Sequence, residues 1–311
     1  MNNNLFSCFV SPKTGIPLHE MDGKLITPDG KEIFIIKYGV VCLLDIYSLG
    51  EVAWHEMKVF DNLAIQNVSY FRERLFDDVV KILRMFKVFD RKENFIVAEM
   101  GGGEGHWGKF VKKEFPDAII YISDLSFKTL ERVPENLYRV CADISQPIFK
   151  KDFIDLVSFW VSLHHLEKEA MVNAIKEASK SLHEGGFLIA FEPNKDFWLR
   201  KIMYRSPFSR DVYFDDKEKA IDFKELSDIA RTFDLLELGR YFLNPPYNTN
   251  FIRELKRWKI YLFIVEILYR LDVWLLSKIM GNIFSIKKQN YKKYFTLYGL
   301  AIYKKVEKGK T

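Results

Sequence analysis

The stretch Val97-Ala-Glu-Met-Gly101-Gly-Gly-Glu-Gly105-His-Trp-Gly-Lys-Phe110 decides how this chain is read. An apolar run reaches an acid, Glu99, after which Gly101, Gly103 and Gly105 alternate on a turn that the pattern predicts will open a helix. Glycines suit such a turn because the backbone must take up φ values closed to other residues and must let a ligand come close to the main chain. By itself the same pattern also describes a tight strand-to-helix turn with no ligand at all.

The surrounding sequence adds context. From Asn94 onward β-prone runs alternate with helical segments, the signature of an α/β protein whose parallel sheet is covered on both faces. Strands are expected at 95–100, 118–124, 137–143, 154–160, 187–191, 235–243 and 295–304, and helices at 105–115, 166–182 and 223–233. The second strand ends in Asp124, 25 positions after Glu99, and the third in Asp143, 19 positions later. Open α/β sheets bind ligands at the carboxyl edge, so the three acids are expected to line one crevice. An acid after the second strand can accept hydrogen bonds from ribose hydroxyls. No Gly-Lys-Ser/Thr follows the glycines, which excludes a Walker phosphate loop. Three carboxylates would repel a pyrophosphate, so a cationic ligand carrying a nucleoside fits better.

With these residues the chain resembles the class I methyltransferases that use S-adenosylmethionine. Their acid-x-Gly-x-Gly-x-Gly motif appears as Glu99 to Gly105, and Asp124 and Asp143 match the acids after the second and third strands. The segments Phe153-Ile-Asp-Leu-Val-Ser-Phe-Trp-Val-Ser-Leu-His-His-Leu166 and Leu182-His-Glu-Gly-Gly-Phe-Leu-Ile-Ala-Phe-Glu-Pro193 are similar to the small-molecule and quinone-methylating branch. The resemblance covers roughly residues 55–245 and the final strand. It implies a Rossmann-like seven-stranded sheet with an antiparallel last strand and S-adenosyl-L-methionine as cofactor. Gly101 and Gly103 would run beside the methionine part, Gly105 would complete the cofactor-binding turn, and Glu99 would orient that part through the loop or a water. Asp124, followed by Leu125, would take the ribose, and Asp143 with Ile144 the adenine. Glu99 departs from the Asp that is commoner in the family, and its reach differs by a methylene. An NAD-dependent oxidoreductase would share the first two features but would predict neither Asp143 nor the paired histidines.

Methyl transfer from a sulfonium is an in-line displacement, so alignment and desolvation matter most and a base need only lie near the acceptor. His164 and His165 follow the fourth strand, where substrate and methyl group should meet, and imidazole titrates near neutrality. Two readings stand for this pair. Either one histidine is a general base, or His165 caps the next helix while His164 packs or contacts the cofactor. Asn244-Pro-Pro-Tyr247 spells a motif of amino-methylating enzymes, but it follows the sixth strand instead of the fourth and is read as a stiff loop bordering the substrate side.

Residues 1–50 carry frequent turn signals between short β-prone runs and form a small β-rich module. It resembles the zinc-ribbon-derived domains that precede some methyltransferases. Only Cys8 remains where metal-binding relatives place cysteines, so no metal is expected, and Phe34, Ile36 and Leu43 would hold the module as packing residues. Residues 51–311 are expected to form the methyltransferase domain, with a helical cap at 55–90 and a helical insertion at about 249–294.

The 311 residues hold 47 Lys and Arg against 42 Asp and Glu, a net of +5. Residues 251–311 carry 14 basic against 4 acidic side chains, a net of +10 that leaves −5 for the rest. Within that region Arg253, Lys256, Arg257 and Lys259 lie among Trp258, Tyr261, Leu262 and Phe263. This is read as a lid over the cleft with solvated lysines, or as a face for an anionic membrane surface or a lipid-linked acceptor; Lys287, Lys288, Lys292 and Lys293 could also face RNA. No apolar run approaches the roughly 18 residues of a membrane span, residues 1–15 do not read as a signal peptide, and three cysteines fit a reducing cytosol. The expected protein is a cytoplasmic methyltransferase acting on a small or lipid-like acceptor, peripheral to the membrane where 251–294 docks. The alternatives are an RNA base methyltransferase and a non-catalytic partner that keeps the fold.

Overall fold

The computed structural model describes residues 6–44, 49, 51–62, 70–90, 94–197, 219–243 and 298–306. The inserted segment at about 249–294 and Asn244 to Tyr247 lie outside the described residues.

The alternating pattern folds into one sheet. Strands β1 (His19–Met21), β2 (Lys24–Ile26), β3 (Ile33–Lys37) and β4 (Val40–Cys42) form an antiparallel meander. Then come β5 (Ile96–Met100), β6 (Ile119–Asp124), β7 (Tyr138–Cys141), β8 (Ile154–Trp160), β9 (Leu182–Pro193), β10 (Leu235–Leu243) and β11 (Tyr298–Lys305). Their order is β1-β2-β3-β4-β7-β6-β5-β8-β9-β11-β10. The Rossmann-like part is β5 to β11: β5 to β9 pair in parallel, while β11 slots between β9 and β10 antiparallel to both. The amino-terminal strands thus extend the same sheet: β4 bonds β7, with Cys42 opposite Cys141.

Both faces are covered, which is why β5, β6 and β8 are apolar along most of their length. On one face lie α2 (Tyr70–Met85) and α3 (His106–Glu114), while α1 (Glu51–Asn62) precedes them in the chain. Phe76, Val79, Val80 and Leu83 recur at helical spacing on α2 and are buried together with Trp107 and Phe110 of α3. Trp107 stacks on Trp160, which stacks on Phe191, at centroid distances of 4.8 and 4.3 Å. On the other face lie α5 (Lys168–Ser181) and α6 (Phe223–Arg231), the latter capped by Asp222, which accepts from the Lys224 and Glu225 N–H groups. Phe9, Leu18, Leu25 and Leu43 of the amino-terminal region join this second core; Phe9 meets Tyr121 edge-on, and Phe34 and Ile36 pack against its margin.

Several expected boundaries shift by a residue or two, and three differences bear on the site and its frame. β7 stops at Cys141, and Asp143 lies in a turn where its side chain accepts from the Ser145 N–H and hydroxyl. β9 starts at Leu182, directly after α5, instead of at 187. The extra residues are absorbed by a register shift between Ile154–Leu182 and Leu156–Phe187, at Gly185-Gly186, where a β-carbon on Gly186 would lie 2.9 Å from the His183 carbonyl. The cap expected at 55–90 is two helices, with α1 starting earlier, at Glu51.

Candidate functional site

The strand order reverses between β5 and β8: β6 and β7 continue to one side of β5, and β9 to the other side of β8. Such a switch point leaves a crevice at the carboxyl ends of the strands. The turn after β5 and the exit of β8 meet there. A β-carbon on Gly101 would lie 2.7 Å from that of Ser162 and 3.6 Å from the Ile144 side chain, so Gly101, Ser162 and Ile144 converge at one point. The Ser162 hydroxyl donates to the Met100 carbonyl at 2.9 Å and locks the two strand ends together.

Gly103 is the open part of the turn. Its φ is +55°, and a β-carbon there would meet nothing closer than Thr129 Cγ2 at 3.9 Å. A backbone with positive φ and a free side is a cradle against which a ligand can lie. Its N–H donates to Asp124 Oδ2 at 2.8 Å, while Asp124 Oδ1 accepts from the Ser126 N–H at 2.9 Å. Asp124 is 7% exposed. Burial raises its pKa against these two N–H groups and the nearby His165, which pull it down. Leu125 follows, half-buried, with its carbonyl 3.5 Å from Cys141 Sγ. Ser126 caps α4 (Phe127–Leu130) and is tied to α1 by a 2.7 Å bond to Asp61.

Glu99 departs from the expected crevice. Along β5 it alternates with Ala98 and Met100 and faces α3, where its Oε2 accepts the Gly108 N–H at 2.8 Å. It is buried, and desolvation pushes its carboxyl up to about 8, with the Gly108 N–H and Lys109 opposing. Gly108 is needed because any β-carbon there would lie 2.4 Å from Ile122 and 2.9 Å from Glu99. Gly105, with φ +68°, precedes α3. Beside it Glu104 pairs with Arg132 at 3.1 Å, joining the glycine turn to the residues after α4. The structure therefore brings Gly101, Gly103, Asp124 and Ile144 to the crevice with Asp143 at the β7 exit, and turns Glu99 beneath the loop.

The β8 exit forms a 3₁₀ turn, Leu163–His165. His164 is 5% exposed, with Nδ1 2.8 Å from Glu192 Oε2. Glu192, on β9, is fully buried, and its Oε1 also accepts the Ser162 and Leu163 N–H groups at 2.9 and 2.8 Å. The His165 ring lies 4.0 Å from that of His164. His165 does not cap the following helix: the residue before α5 is Glu167, whose side chain makes no cap bond. Sequence reasoning passed over Glu192 and Ser162. An acid within Phe191-Glu-Pro193 near the end of a strand was the available signal for the first, the same kind of signal that singled out Glu99.

A cofactor with a positive centre and a nucleoside fits these residues: an open glycine cradle, a carboxylate beside it, and an apolar side chain, Ile144, at its flank. Residues 97–186 match the family described as a methyltransferase domain. An uncharacterised protein of Methanocaldococcus jannaschii is 28% identical over 149 residues, 48% of this chain and 62% of the relative. Phosphoethanolamine N-methyltransferase 2 of Haemonchus contortus, solved with S-adenosyl-L-methionine, shares the fold with a TM-score of 0.51 at 14% identity, over 82% of this chain and 57% of that one. A protein of Galdieria sulphuraria named as a sarcosine dimethylglycine methyltransferase superposes with a TM-score of 0.50 at 11% identity, over 83% of this chain and 99% of its own. The chain thus spans less than two thirds of the archaeal relative and of the nematode enzyme. Among the described residues no helix is long and apolar enough to cross a membrane. The chain carries an S-adenosylmethionine-dependent methyltransferase domain.

Proposed function

We propose that this chain methylates a small or lipid-like acceptor, with His164 as the base that takes the acceptor's proton. In this reading Gly101, Gly103 and Gly105 cradle the methionine part of the cofactor, Asp124 with Leu125 holds the ribose, and Asp143 with Ile144 holds the adenine. Glu99 acts from beneath, by fixing the start of α3 through Gly108. When bound, the cofactor supplies a methyl group on a positively charged sulfur. The protein's part is to exclude water, align the acceptor and accept its proton. His165, its ring tilted by 40° against that of His164 and close enough to influence Asp124, would form the wall between acceptor and cofactor sides.

The observation that carries this reading is the anchored imidazole: His164 is buried at the β8 exit, two residues from Ser162, which touches the cofactor turn, and a carboxylate holds its ring. The names of the two superposed enzymes concern small amines, which supports a small acceptor. The basic, aromatic sequence at 251–294 supports a lipid-like one, and residues 1–50 would serve as a packing module.

The test combines calorimetry with methyl transfer to three probes: phosphoethanolamine, sarcosine and vesicles of anionic phospholipid. His164→Ala should bind S-adenosylhomocysteine as the wild type does and lose transfer by about 100-fold or more. Unimpaired transfer by His164→Ala removes the base role. No affinity of the wild type for either form of the cofactor removes the whole reading.

A further inference from the structure

We infer that Glu192 is a positioning residue that fixes the tautomer of His164, holding the proton on Nδ1 and leaving Nε2 with the ring's lone pair. The inference rests on the base reading of His164 for its meaning in catalysis, but its structural content stands separately. Glu192 receives three contacts on two oxygens: the Ser162 and Leu163 N–H groups on Oε1, and His164 Nδ1 on Oε2. The two backbone groups can only donate. An ionised carboxylate can only accept, so with Glu192 as the anion Nδ1 donates as well, and in a neutral imidazole the other nitrogen then carries the lone pair. All three contacts are buried; Glu192 is fully covered and His164 is 5% exposed. A mismatched tautomer would face Oε2 with a second lone pair where no water can relieve it.

The same carboxylate also shapes the turn. By binding two consecutive N–H groups of the 3₁₀ segment it sets the path of the chain that carries His164, so ring orientation and tautomer are fixed by one side chain reaching over from β9. Opposite it on β11 stands Gly299, where a β-carbon would run into Phe223 at 2.4 Å. The other titratable groups facing the pair are His165, whose ring is 4.0 Å from His164, and Asp124 beyond it.

The discriminating variant is Glu192→Gln. Its amide oxygen can keep the two backbone contacts, whereas its NH₂ presents a donor to Nδ1, which favours the tautomer protonated on Nε2. The measurement is ¹⁵N–¹H correlation of the full chain labelled at histidine, with the His164 signal assigned by its loss in His164→Ala. The wild type should show Nδ1 protonated. Glu192→Gln should shift the tautomer ratio toward Nε2–H by roughly 10- to 100-fold. A wild-type His164 protonated on Nε2 overturns the inference, and so does an unchanged ratio in a folded Glu192→Gln protein. If that variant fails to fold, the wild-type spectrum alone still decides. The two failures are separable: full methyl transfer by His164→Ala removes the base role and leaves the tautomer result standing, whereas an Nε2–H wild type removes the positioning role even if His164 proves essential.

Discussion

Replacing Glu99 by glutamine would measure what it takes to keep an acid under the glycine turn. Glu99 is 2% exposed and accepts the Gly108 N–H at 2.8 Å, with burial pushing its carboxyl from 4.5 up to about 8. The folded chain therefore holds this proton to higher pH than the unfolded chain does. The stability associated with it is fully present below about pH 4.5 and is lost as the pH rises through about 8. At about 1.4 kcal/mol per pH unit, the difference between the two values corresponds to about 3 kcal/mol lost by pH 7 and nearly 5 kcal/mol above pH 8. Glutamine keeps an acceptor for the Gly108 N–H and cannot ionise. Urea unfolding of both proteins between pH 5 and pH 9 should show Glu99→Gln gaining on the wild type by about 4 kcal/mol across that range. Parallel stability curves would refute the reasoning, because they would mean that the carboxyl is not desolvated. The same variant also separates the two roles considered for Glu99. If it acts only through Gly108, affinity for S-adenosylhomocysteine should stay within about threefold, and a much larger loss in a stably folded variant would place the side chain in contact with the cofactor.

Two further substitutions probe the turn. Asp124→Ala removes the acceptor of the Gly103 N–H and the carboxylate proposed for the ribose, so calorimetry should show S-adenosylhomocysteine binding weakened at least about tenfold; undiminished affinity would take Asp124 out of the site. Gly108→Ala places a methyl 2.4 Å from Ile122 and 2.9 Å from Glu99 and should cost about 1–3 kcal/mol in denaturant unfolding, whereas Gly103→Ala meets nothing within 3.9 Å. Gly103→Ala should lose about 1–2 kcal/mol through its positive φ alone but should impair cofactor binding more than Gly108→Ala does, and the opposite ranking would move the cradle away from Gly103.

Strands β8 and β10 have the expected bounds, Ile154–Trp160 and Leu235–Leu243. Both are long β-prone runs next to helical periods, so pattern and pairing agree. The amino-terminal strands were legible as hairpins, but their union with β7 was not, because a parallel pair joins residues about 100 positions apart with no local signal. Burial on both faces had a second consequence. A strand that is apolar on either side gives no polar stripe to show which way an acid points, so Glu99 and Asp124 look equivalent in sequence. Asp124 is the last residue of β6 and bends back to the turn, whereas Glu99 is the penultimate residue of β5 and faces the helices.

The choice of acid at each strand end follows from the distance it has to cover. Asp124 serves N–H groups next to it in space, Gly103 across the edge and Ser126 two residues on, and a short side chain suffices. Glu99 must reach past the whole glycine turn to Gly108, in the second residue pair of α3, and Glu192 must cross from β9 to the segment leaving β8. The additional methylene at position 99, which as a sequence feature looks like a departure from the commoner aspartate, is thus what this contact requires. Glu99 and Glu192 stand in equivalent places, each the penultimate residue of its strand, and each holds backbone bordering the switch point, Glu99 the first turn of α3 and Glu192 the turn that leaves β8. It follows that the acidic excess of residues 1–250 does not simply line the crevice with negative charge. Part of it is folded inward to hold the main chain on either side of the crevice, one acid beneath the glycine turn and one at the histidine turn, and the ends of β5 and β8 are fastened to each other where Ser162 bonds the Met100 carbonyl.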